Sequence, residues 1–115
     1  MPKTSVRPDT IPHAVEAALR RLGSNIAIAR KRRGMKQAEL AGKTGVTHVT
    51  LRRVERGSPT TSIGAYFAAV WALGLETELG DLASPDRDEV GKQRELGRLA
   101  QRIRSTAGAS LSGDF

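Results

Sequence analysis

Apolar residues Ile11, Val15, Ala18, Leu19, Leu22, Ile26 and Ala29 recur at spacings of three and four. That is the period of an amphipathic helix. Pro12 fits its first turn, where a missing N–H costs nothing. Gly23 lies inside the pattern and marks a place for the helix to bend or split. The pattern stops at Arg33 and Gly34, with Arg30, Lys31, Arg32 and Arg33 crowding the last turn. Cations there suit the negative end of the helix dipole, and glycine suits the position after a helix end. A second, short helix is predicted over about Gln37 to Thr44, with Ala38, Leu40 and Ala41 as its apolar positions and Gly45 ending it. Thr47 reads as the N-cap of a third helix running through Arg56, with Leu51 and Val54 inward and Gly57 closing it. The loop Ser58-Pro59-Thr60-Thr61 leads to Ser62, which can cap a fourth helix from Ile63 to Leu73. Its apolar face is Ile63, Tyr66, Phe67, Val70 and Trp71, and Gly74 terminates it. Three of the four aromatic residues sit on this helix and read as core.

Beyond Gly74 the pattern weakens. Glu76 to Ala83 suits one more short helix. Ser84-Pro85-Asp86 starts another, with proline in the first turn and acids at the positive dipole end. It runs to about Arg104 on sparse apolar positions, Val90, Leu96, Leu99 and Ile103. Residues 1–10 are polar and carry two prolines, so they read as a flexible arm. Residues 105–115, rich in Ala, Gly and Ser, read as a flexible tail. No useful strand alternation and no internal repeat occur. The expected architecture is all-α, with a compact domain over residues 11–83 and a C-terminal helix over 84–104.

Composition narrows the chemistry. The 115 residues contain no Cys and two His, His13 and His48. Disulfides and cysteine metal sites are excluded, and no acidic cluster accompanies either histidine. We expect neither metal nor cofactor, and no catalysis. No apolar run spans a bilayer, and residues 1–21 lack the apolar stretch of a secretory signal. The reading is a cytoplasmic chain with no membrane partner. The net charge is +7, unevenly placed. Residues 1–60 hold 13 basic and 4 acidic side chains, whereas residues 61–115 hold 6 and 8. An anionic partner is implied for the first half alone.

Residues 36–57 concentrate the candidate function. Two short helices joined by a tight turn at Gly45 let the second one project into a major groove. With Leu51 and Val54 inward, the outward face of that helix carries His48, Val49, Thr50, Arg52, Arg53 and Arg56. Arginine makes paired bonds to guanine O6 and N7, and Val49 and the Thr50 methyl suit a thymine methyl. His48, Val49, Thr50, Arg52 and Arg53 are therefore the candidates for base readout. Lys36, the N–H groups opening the helix at Gln37, Thr47 and Arg56 are the candidates for holding phosphates.

Gln37-Ala38-Glu39-Leu40-Ala41, Gly45-Val46-Thr47, Thr50-Leu51 and Glu55-Arg56-Gly57 resemble the Xre (phage Cro/C1 repressor-like) helix-turn-helix family over roughly residues 22–75. The resemblance implies a compact five-helix domain that binds operator DNA as a dimer. It implies an ion pair between Arg30 and Glu55, and base-reading positions at His48, Val49 and Arg53. His48 and Val49 stand where phage proteins often carry glutamine, so no operator sequence carries over. Three flanking stretches resemble antitoxin-type regulators encoded beside HipA-like kinases: Ala18 to Ile26, Trp71 to Glu76, and Arg98 to Arg104. That implies a HipB-like homodimer repressing its own operon and binding a kinase toxin.

Two alternatives remain at this level: a stand-alone Xre-type repressor, and an adaptor that makes protein contacts alone. Gly42-Lys43-Thr44 imitates the end of a phosphate-binding loop. That motif needs a glycine five residues before its Gly-Lys pair, where Gln37 stands, and no strand precedes it.

Overall fold

A computed structural model describes residues 10–113, and every element in it is helical. The elements are α1 (His13–Arg32), α2 (Gln37–Thr44), α3 (His48–Arg56), α4 (Ile63–Ala72), a 3-10 segment (Glu76–Asp81), a second 3-10 turn (Pro85–Arg87) and α5 (Glu89–Gly113). Two compact units result, one ending at Leu79 and one beginning at Gly80. The boundary precedes the one expected at 83/84. Leu79 still packs on the core of the first unit, while Leu82 is exposed.

In the first unit the core joins all four helices. Ile26 and Ala29 come from α1, Leu40 and Ala41 from α2, Leu51 and Val54 from α3, and Ala65, Tyr66, Ala69 and Val70 from α4. Leu40, Leu51 and Val54 are fully enclosed. The helix ends follow local chemistry. Oγ1 of Thr47 accepts from the Thr50 N–H, and Oγ of Ser62 accepts from the Ala65 N–H. Gly34, Gly45, Gly57 and Gly74 all take the left-handed conformation at helix ends, which a side chain disfavours.

Several expectations need correction. Gly23 does not split α1, which is continuous. Glycine is needed there because α1 presses on the end of α3. A Cβ at Gly23 would lie 2.4 Å from the Val54 carbonyl oxygen, and one at Gly57 would lie 2.5 Å from Cα of Arg20. Val15 and Ala18 on α1 are exposed, as are Ile63 and Trp71 on α4. The first unit's core ends before it reaches them. The fifth helix of this unit is a 3-10 segment, with no buried residue.

The second unit also differs from expectation. Ser84 and Pro85 open only a 3-10 turn. The long helix starts at Glu89, where the Asp88 carboxylate accepts from the Gly91 N–H at 2.9 Å. It continues to Gly113 rather than stopping near Arg104. Extending a formed helix fixes one residue per new bond and is far easier than starting one. No proline interrupts residues 105–113. The expected tail is therefore helical as far as Gly113. Positions 1–9 and 114–115 lie outside the described residues.

Candidate nucleic-acid interface

α2 and α3 meet through the turn at Gly45 and Val46. The turn is held by Thr44, whose Oγ1 donates to the Ala41 carbonyl and accepts from the Val46 N–H. Beneath them Leu40, Ala41, Leu51 and Val54 are buried. With one side of α3 anchored in this way, the opposite side faces outward. His48, Val49, Arg52, Arg53 and Arg56 are all exposed there. Among the described residues, the side chains of Arg52, Arg53 and Arg56 make no hydrogen bond or ion pair. Three unengaged guanidinium groups on one short helix face form a concentrated cationic surface.

Thr50 sits differently from the expectation. It is half-buried, and its Oγ1 lies 3.0 Å from Oγ1 of Thr47. At about 100° per residue it falls between Val49 and the buried Leu51 and Val54, at the edge of the outward face. Thr47 itself is exposed, but its hydroxyl is committed to the cap. Lys36 is exposed immediately before α2, and its backbone N–H is held by the Glu39 carboxylate. The side chain of Gln37 is half-buried and bonded at both ends within the protein. What Gln37 can offer a phosphate is its backbone N–H at the opening of α2.

Behind this surface lies a buried ion pair. Nε of Arg30 donates to Oε2 of Glu55 at 2.7 Å, and Nη2 to Oε1 at 3.1 Å. Nη1 donates to the Met35 carbonyl at 2.8 Å. The side chains are only 10% and 6% exposed, so water competes little for these bonds. Arg30 thus ties the end of α1 to α3 and to the turn before α2. It is unavailable to a ligand.

One connection escaped the sequence reading: the link from Glu55 through Gln37 to His48. Gln37 and Glu55 are 18 residues apart, and neither residue type signals the other. Only the crossing of α2 over α3 brings them together.

A family model described as a helix-turn-helix domain matches residues 21–82. No curated protein and no solved structure matches the chain.

Proposed function

The chain belongs to the helix-turn-helix domain family, of the Xre/Cro-like superfamily, and from that premise we propose that it is a sequence-specific, DNA-binding transcriptional repressor acting as a homodimer. One observation carries the reading: Arg52, Arg53 and Arg56 stand exposed and unpaired beside His48 and Val49 on the projecting helix of the motif. In this reading α3 lies in the major groove. His48, Val49, Arg52 and Arg53 face base edges, with Thr50 at the margin. Lys36, the first N–H groups of α2 and Arg56 hold the flanking phosphates, while Thr47, whose hydroxyl is used in the cap, stands beside them.

The antitoxin role is a finer proposal. The flanking stretches that resemble HipB-like proteins support it, and the partner would be a HipA-like kinase. A kinase-like reading frame beside this gene, whose product co-purifies with the chain, would favour it. A solitary gene would favour a stand-alone repressor.

The first test is binding to the chain's own upstream DNA and to scrambled DNA at two salt concentrations. Tight binding that prefers the upstream fragment and weakens steeply with salt is expected. Weak and equal binding to both fragments would remove the repressor reading and favour the adaptor.

A further inference from the structure

The bonds behind α3 run as one line from the interior to the DNA-facing surface. The Glu55 carboxylate, paired with Arg30, can only accept hydrogen bonds. The group of Gln37 that faces Oε1 of Glu55 at 2.9 Å is therefore the amide NH2. That settles the other end of the same amide. Its oxygen, an acceptor, lies 3.1 Å from Nε2 of His48. An acceptor requires a donor, so Nε2 of His48 carries the proton. A neutral imidazole holds only one, and Nδ1 is left bare as an acceptor. Nδ1 has no bond among the described residues.

We infer that Glu55 and Gln37 are positioning residues that fix the Nε2–H tautomer of His48, so that His48 presents an acceptor to the major groove and selects adenine or cytosine on the strand it faces. The chemistry follows from the groove. Adenine N6 and cytosine N4 offer amino donors there, while guanine and thymine offer acceptors alone. Nδ1 would meet guanine or thymine lone pair to lone pair. The base preference rests on the proposal that α3 enters the groove; the tautomer does not.

The test uses the full chain labelled with nitrogen-15, at about pH 8 where imidazoles are ordinarily neutral. Nitrogen shifts report the tautomer of each ring, and a His48→Ala variant assigns the signal against His13. The wild type should show His48 with its proton on Nε2. Gln37→Leu keeps the bulk and removes both bonds, leaving the Arg30–Glu55 pair in place, and should give a mixture of tautomers. A His48 tautomer that Gln37→Leu leaves unchanged overturns the positioning role. Binding selection from a randomised half-site is the second readout. Wild type should favour adenine or cytosine at one position by roughly tenfold, about 1.4 kcal/mol. Gln37→Leu should flatten that position and leave the others intact. A preference that survives the shift in tautomer overturns the base-reading part. Loss of all sequence preference in the wild type would sink the groove placement, while the tautomer result on free protein would still stand or fall separately.

Discussion

In the proposed reading, Arg53 and Lys36 separate two kinds of DNA contact at the scale of single residues. Arg53 is exposed on the outward face of α3, while Lys36 precedes the first turn of α2. Arg53→Ala should weaken binding to the operator far more than to random DNA, since one lost paired base contact costs about 1–3 kcal/mol. Equal losses on both DNAs, measured by titration, would remove Arg53 from base readout. Lys36→Ala should weaken both about equally and flatten the salt dependence by about one unit. An unchanged slope would exclude a phosphate contact. The outward residues of α3 are legible in the sequence because one helical period and two inward residues, Leu51 and Val54, dictate them. Thr50 was harder to place. It sits at the margin, where a few degrees of helix rotation decide between groove and core.

At the scale of elements, the seam between α1 and α3 is set by glycine. Gly23 is buried against the Val54 and Glu55 carbonyl oxygens, and Gly57 against the backbone of Arg20. All of the obstructing atoms belong to backbone, so no side chain can rotate away. Gly23→Ala should destabilise the fold by about 1–3 kcal/mol or more, although alanine is the better helix former. Thermal unfolding followed by circular dichroism checks this, and a neutral or stabilising result would contradict the close approach. In α5, Val90 stands six residues before Leu96. At about 100° per residue it lies about 120° away from Leu96 around the helix. The expected apolar stripe therefore reduces to Leu96, Leu99 and Ile103, all exposed. A list of apolar residues conceals this, and a helix with defined ends reveals it.

Tyr66 makes the stability of the whole first unit sensitive to alkali. It is 2% exposed, and its hydroxyl donates to the Ser58 carbonyl at 2.7 Å. Burial pushes its pKa up from 10.0 to about 12. The folded state thus favours the neutral phenol more than the unfolded state does. Its contribution is complete below about pH 10 and is lost as pH rises through about 12. Denaturant midpoints should fall over that window, and the phenolate absorbance of this sole tyrosine should grow with unfolding. Tyr66→Phe should remove this part of the pH dependence; a variant that keeps the same decline would assign it elsewhere. The proposed homodimer also belongs to this scale. As a dimer, the protein should protect a pseudo-palindrome with half-sites roughly 34 Å apart, and a footprint over one unpaired half-site would exclude that assembly. Removing residues 86–115 tests whether the unit holding α5 carries the dimer contact. Light scattering should then report a monomer, and a truncated chain that remains dimeric would place the contact in the first unit.

What the sequence determined by itself is local in origin. Apolar spacing, caps at Thr47 and Ser62, and glycine stops at Gly34, Gly45, Gly57 and Gly74 depend on neighbours within a few residues, so the first four helices could be read directly. The charge excess and the motif over residues 36–57 led in the same way to the helix-turn-helix. The tertiary structure decided what depends on distant residues. It determined that Gly23 is a contact rather than a break, and that Trp71 and Ile63 lie outside the core. It also made the side chain of Gln37, a residue read from the sequence only for the N–H groups opening its helix, the link between a buried carboxylate and His48. Each of these outcomes follows from where two helices cross, and a crossing is set by the whole packed core rather than by any segment of the chain.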